Sequence, residues 1–198
     1  CINVFLRLNR LPAFKGQHQW VGAVGLDAEI TVASVPAVRD AAACAARCGR
    51  TVPVHLKVET GVNRQGVTEA EMPGVLEVID AQEGLRLVGL SSHFADVEDT
   101  TDHAFALRQM ERFSGYERVL AEAGHDRLAR HMSCSASLLL WDRSRRDIAR
   151  VGISAYGVWP SRETLVALRE RGREEVVLRT AMTWKVRASQ IREVPAGE

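Results

Sequence analysis

The sequence predicts an α/β fold: part of a parallel (β/α)8 barrel, followed by the start of a second, all-β domain. Three observations carry this. Short apolar strands alternate with helical stretches over residues 1–160, the pattern of a parallel sheet with helices outside. Several strand ends carry polar residues: Lys57 to Arg64, Ser92-His93, Ser133 to Ser135, and Arg150 to Ile153. In a parallel barrel those ends gather at one rim, where active sites sit. After Pro160 the pattern changes, and no helix follows each strand. A doubly wound sheet is the competing arrangement, but no Gly-rich dinucleotide loop follows the first strand.

The elements follow in order. Ile2–Leu6 reads as a strand and Glu29–Val32 as another. Ser34 caps a helix through Cys48, which Gly49 ends. Val54–Val58 is the next strand; Val54, Leu56 and Val58 face the helix layer, and His55, Lys57 and Glu59 face the barrel interior. Thr68 with Glu71 resembles a capping box and opens a helix to about Ala81. Leu87–Ser92 is a strand ending in His93. Thr101 or Asp102 opens a long amphipathic helix with Phe105, Met110, Phe113, Val119 and Leu120 inward, closed by Gly124. Arg130–Ser133 is a short strand, Ser135 to Trp141 a helix, and Ile148–Ile153 the last barrel strand. Residues 1–160 therefore form the partial barrel, 161–175 a charged surface helix or linker, and 176–198 the opening of the β domain.

Composition narrows the function. The 198 residues are 46% hydrophobic and 26% charged, an ordinary globular balance. A formal net charge of +1 gives no reason to expect nucleic acid or a membrane surface as partner. No apolar run is long enough to span a bilayer and no signal peptide is evident, so the cytoplasm is the expected compartment. Cys1, Cys44, Cys48 and Cys134 form no CxxC pair; they read as thiols in a reducing compartment, with no metal site. The chain begins at Cys1 inside an apolar run and stops in a turn signal at Gly197-Glu198, which reads as a fragment.

The stretch VHLKVETGVNRQG, residues 54–66, lines a lysine on a polar strand face and presents Arg64 just past the strand end. It resembles the H-L-K-x-D-T-G-M-x-R-x-G motif of alanine racemases. GLSSHFADVED resembles that family's G-x-x-T-H-F-A-x-A-D, HMSCSASLL its H-x-x-N-S-A, and RVGISAYG its R-x-G-I-x-x-Y-G. Any one is weak; four in order on strand ends are specific. The resemblance runs from about His18 to the C-terminus. It implies a pyridoxal 5'-phosphate barrel, a homodimer, and interconversion of L- and D-alanine through a carbanion conjugated to the cofactor, supplying D-alanine for peptidoglycan. The cofactor carries the hard chemistry, and the protein binds, orients and tunes it.

The resemblance assigns roles residue by residue. Arg64 matches the arginine that pairs with the substrate carboxylate, a task suited to a planar, always-charged guanidinium; the alternative is a solvated loop arginine. Lys57 matches a catalytic-side lysine that is carbamylated in some members and then holds the arginine as an anion; the alternative is a pair with Glu59. It does not match the Schiff-base lysine. His93 matches the histidine beside the cofactor ring that links to the catalytic tyrosine; a structural histidine is the alternative. Arg150 matches the arginine on the pyridine nitrogen, where a donor that keeps its proton leaves that nitrogen unprotonated. Its alternative is a pair with Asp147 or Asp142. Ser135, with the backbone N–H groups of Gly152 and Ile153, matches the phosphate cradle; a plain helix cap is compatible with that. Arg150→Glu is expected to leave the cofactor bound and change its absorbance.

Glu59 stands for the motif's aspartate, Val62 for its methionine and Cys134 for its asparagine. No lysine begins the family's K-x-x-x-Y-G motif, and neither Tyr116 nor Tyr156 fits the second base. Racemisation needs one base on each face of the α-carbon, and a complete barrel takes about 250 residues. The chain alone is expected to be unstable and inactive. Rival readings are a serine or other amino-acid racemase of the same type, a non-catalytic pyridoxal-phosphate-binding barrel, and a degenerate gene product.

Overall fold

Local signals place the first helix where the sequence expects it. Ser34 is extended and its Oγ accepts the Ala37 amide at 3.4 Å. Pro36 sits in the first turn, and Gly49 closes the helix in the left-handed region at φ 60°. The structure, a computed structural model, describes residues 4–5, 22, 24–25 and 27–197. Cys1, His18 and the flanks of the first expected strand lie outside the described residues.

Twelve ranges of regular structure are described. Strand β1 is Val4–Phe5 and β2 is Glu29–Val32; helix α1 is Val35–Cys48 and β3 is Val52–Lys57. Helix α2 is Met72–Asp80, β4 is Leu85–Ser91, and α3 is Ala104–Glu122. Then come β5 at Ala129–His131, α4 at Ser135–Leu140, 3-10 turns at Asp142–Ser144 and Ile153–Tyr156, and α5 at Arg162–Glu170.

The five strands form one sheet in sequence order, β1-β2-β3-β4-β5. Strands β2 to β5 are parallel to their neighbours, and β1 lies antiparallel to β2 with Phe5 opposite Glu29. The register of β3 on β4 shifts between Val54 and His55, a bulge that sets His55 opposite Gly89. Ile30, Val32, Val54 and Leu56 are buried, with Val38 and Ala41 of α1 and Val75 and Ile79 of α2 in the same core. Fully burying each such side chain contributes about 1.5–3 kcal/mol.

Several expectations are corrected. Helix α2 begins at Met72, since Glu71 accepts from both the amide and the hydroxyl of Thr68 and holds the preceding residues as a turn. Helix α3 begins at Ala104, whose amide donates to Asp102 Oδ1 at 3.0 Å. Its inward face is Ala106, Gln109, Met110, Phe113, Tyr116 and Leu120, and Val119 is 43% exposed. Ile148–Ile153 forms no strand. The amides of Asp147 and Ile148 both donate to Arg130 O, and the Asp147 carboxylate binds the Arg130 amide and guanidinium. Backbone and side-chain bonds to the single residue Arg130 hold the start of this segment where a ladder was expected. The charged stretch after Pro160 does hold a helix, Arg162–Glu170, capped by Ser161, but Ala167 and Leu168 are buried, so one side of it packs inward. Val176–Val194 forms no strand: no described residue offers it a ladder, and Trp184 and Ile191 are 84% and 89% exposed.

Candidate functional site

The rim where β3, β4 and β5 end collects the polar residues singled out in the sequence. Lys57 is the last residue of β3, and its side chain is buried. Its Nζ donates to Gln65 Oε1 at 3.2 Å. Burial lowers its pKa, and the nearby Arg64 and Arg150 guanidinium groups lower it further, against Glu59. The alternative, a Lys57–Glu59 ion pair, is not formed among the described residues; Glu59 is occupied elsewhere. Its Oε1 accepts the Gly61 amide at 2.5 Å. Burial opposes ionisation of Glu59, but the amides of Asn63, Gly61, Val62 and Arg64 outweigh it and lower the pKa. Glu59 thus winds the loop around its own carboxylate and fixes the exposed Arg64 at the rim.

The loop returns to the sheet at once. Val67 donates to Lys57 O at 2.8 Å, and Glu59 donates to Val67 O at 2.9 Å. Gly66 makes this return possible at φ 149°, where an added Cβ would lie 2.6 Å from Glu59 N. Behind the loop, Gln109 of α3 donates to Thr60 Oγ1 and to His93 O and accepts from Ala95 N. One buried amide thereby ties the Arg64 loop to the His93 loop.

Arg150 sits beneath His93. Its Nη1 donates to His131 Nδ1 and, at 3.0 Å, to His131 O. Its Nη2 donates to Ser92 O and lies 3.2 Å from His93 Nδ1. A guanidinium has five N–H groups. Four are committed, and among the described residues the fifth, Nε–H, has no partner. The alternative pair with Asp147 or Asp142 is absent, because Asp147 binds Arg130 and Asp142 binds Arg145. Burial pulls the Arg150 pKa down to about 10.

Ser135 opens α4, and its Oγ accepts the amides of Gly152 at 2.9 Å and Ser154 at 3.3 Å. Ile153 begins a 3-10 turn, where first amides lack intrahelical acceptors. Ser135, Gly152 and Ile153 are thus brought together, with the Gly152 and Ser154 N–H groups turned onto Ser135 Oγ and the Ser135 O–H left as a donor. Cys134 precedes it; its amide donates to Ser137 Oγ at 3.0 Å, so Ser137 anchors the helix start where the asparagine was missed. A hydroxyl with clustered amides suits a phosphate, and a spare guanidinium N–H suits an aromatic nitrogen acceptor. The residues present fit pyridoxal 5'-phosphate on both counts.

Two histidines give the site a pH signature. Burial and then Arg150 push the His93 pKa from 6.5 down to about 4, and the His131 pKa to about 3. Both are neutral when folded. As pH falls below 6.5 the unfolded chain binds more protons than the folded one, so stability falls until these lower values are passed. Urea midpoints are expected to be level above pH 7 and to drop between pH 6.5 and 4; a His131→Asn variant should show a shallower drop.

Sequence reading missed three neighbours of this site. Glu29, His55 and His131 form a continuous line with Arg150, His131 Nε2 meeting His55 Nδ1 at 2.9 Å and His55 Nε2 meeting Glu29 Oε2 at 2.5 Å. The signals were present: His55 shares the inner face with Lys57, and His131 opens the motif that contains Ser135.

Comparison with known proteins identifies a family and a fold. The family model for the N-terminal domain of alanine racemase matches residues 13–160. An alanine racemase of Leptospira interrogans is 34% identical over 143 residues, covering 72% of this chain and 36% of that protein. One of Frankia casuarinae is 33% identical over 184 residues, covering 91% and 46%. The crystal structure of alanine racemase from a D-cycloserine-producing Streptomyces lavendulae superposes with a TM-score of 0.69 at 28% identity, covering 73% of this chain and 38% of that one. The chain spans less than half the length of these relatives.

Proposed function

Because the chain belongs to the alanine racemase family, matching its N-terminal domain model over residues 13–160, we propose that it seats pyridoxal 5'-phosphate and an amino acid in a racemase that interconverts L- and D-alanine. The observation that carries this is the joint presence, on one rim, of a Ser135 hydroxyl oriented by the Gly152 and Ser154 amides and an Arg150 with one N–H to spare. Bound there, the cofactor supplies the electron withdrawal that makes the α-hydrogen acidic.

The chain's own residues bind and orient. The Ser135 hydroxyl, oriented by the Gly152 and Ser154 amides it accepts, and the Ile153 amide hold the phosphate. Arg150 donates to the pyridine nitrogen and withholds a full proton from it. Arg64, on the loop wound by Glu59, holds the substrate carboxylate, and the neutral His93 stacks its polarity beside the ring. Lys57, whose lowered pKa favours the free amine, is suited to carry a carbamate, turning a like charge beside Arg64 into an opposite one.

Proton transfer is a different matter. The hydroxyl of Tyr116 donates to Glu59 O at 3.1 Å, and burial raises its pKa to about 12. Tyr156 lies in the 3-10 turn and is 54% exposed. Neither is placed as a base, and no K-x-x-x-Y-G lysine is among the 198 residues. The 198 residues alone are expected not to racemise. Supply of D-alanine to peptidoglycan, a homodimer and a cytoplasmic location belong to this reading. Among the described residues no helix is long and apolar enough to cross a membrane.

Titration with pyridoxal 5'-phosphate tests it. Saturable uptake is expected, weakened about tenfold or more by Ser135→Ala, as befits loss of a hydrogen bond to a charged group. Uptake unaffected by Ser135→Ala would remove the cradle from the reading. In the same sample, labelled bicarbonate should give a carbamate carbon signal that Lys57→Arg abolishes.

A further inference from the structure

Glu29, His55, His131 and Arg150 cross the inner face of the sheet as a single hydrogen-bonded line. Its two ends are chemically fixed. A guanidinium only donates, and a carboxylate only accepts. Arg150 Nη1 therefore donates to His131 Nδ1. That leaves the His131 proton on Nε2, which donates to His55 Nδ1 at 2.9 Å. The His55 proton is then on Nε2 and donates to Glu29 Oε2 at 2.5 Å. Each bond leaves only one direction for the next, so both rings are Nε2–H tautomers and all dipoles point the same way.

The line is built rather than incidental. Both rings are fully buried, at 0% exposure. The register shift between β3 and β4, with Val88 of β4 as the extra residue, sets His55 against Gly89, where any Cβ would come within 1.9 Å of His55 Nδ1. Glu29 is its outer end, with 42% of its side chain exposed. Aligned bonds in a dry interior polarise one another, so the carboxylate's charge is felt at the guanidinium.

We propose that Glu29, His55 and His131 are positioning residues that act through Arg150, fixing its guanidinium against the cofactor's ring nitrogen and weakening its remaining N–H as a donor by coupling it to the Glu29 charge. This rests on the reading in which Arg150 faces that nitrogen.

The test has two arms. Long-range proton–nitrogen correlation spectra of the cofactor-free protein read the tautomers directly. Both His55 and His131 are expected as neutral Nε2–H rings; an Nδ1–H ring or an imidazolium at pH 7 overturns the line. In the second arm the protein is loaded with pyridoxal 5'-phosphate labelled at the ring nitrogen. Glu29→Gln removes the charge and keeps an acceptor, so Arg150 becomes a stronger donor and the ring-nitrogen signal is expected to move upfield. Glu29→Asp, which keeps the charge, should move it less and serves if Glu29→Gln fails to fold. A signal that stays at the wild-type position in the folded variants sinks the inference while leaving the functional reading intact. Should the wild type take up no cofactor, the functional reading fails, and the action on the cofactor with it, whatever the tautomers.

Discussion

Arg150→Glu is expected to lower stability by about 3–5 kcal/mol, the range for leaving buried charged and polar groups without their partner. The sequence alone predicted a milder result, with cofactor retained and its absorbance changed. The geometry makes the difference. Arg150 supplies the donors for His131 O, Ser92 O and His131 Nδ1 at the ends of two strands. A glutamate there sets a carboxylate against two carbonyl oxygens in a buried site and strands the His131 ring. Arg150→Lys keeps a cation with three donors and is expected to cost far less. Urea unfolding of the two variants at pH 7.5 decides it. Equal midpoints would mean that the fork of donors holds nothing together.

Gly89→Ala carries the second large effect. Alanine ordinarily improves a strand position over glycine, yet here about 3 kcal/mol of destabilisation is expected, at the upper end for overpacking. The new Cβ falls on the His55 ring, which has no free space on the inner face. The interaction is specific, so a double variant exposes it. Against a His55→Ala background, Gly89→Ala should cost little, giving a coupling of about 2 kcal/mol between the two sites. A cost that is the same in both backgrounds would mean the backbone, not the ring, resists the methyl.

How much of this was legible depends on whether a signal was local. The helix from Ser34 to Gly49 was read to the residue because cap, Pro36 and Gly49 each act within a few positions. The rim residues were legible as a set, since strand ends can be counted off the sequence. Lys57, Arg64, His93, Ser135, Arg150 and Gly152 do gather there, and Ile153 follows in the turn. The failures are of another kind. Ile148–Ile153 has strand composition, but Asp147 finds Arg130 first. Val176–Val194 has strand composition too, and composition cannot supply a neighbour to pair with. The Glu29–His55–His131 line was invisible because it depends on a one-residue bulge and on a glycine 34 positions away from His55, which only the register reveals. Glu59 looked like a conservative stand-in for aspartate; that it winds the Arg64 loop needed the loop's amides in place.

The order of strands in the sheet, identical to their order along the chain, also says when things happen. Each strand has only to find the one made just before it, so most contacts close short loops, and low contact order favours quick folding. The arc can accrete unit by unit as the polypeptide lengthens. The polar line across its inner face cannot. His55 waits for His131, 76 residues later, and Arg150 reaches back 58 residues to Ser92. The scaffold is thus complete before its chemistry is. Until the last of these bonds closes, Glu29 and the two imidazoles face water, and the cofactor's seat is the final part of the molecule to mature.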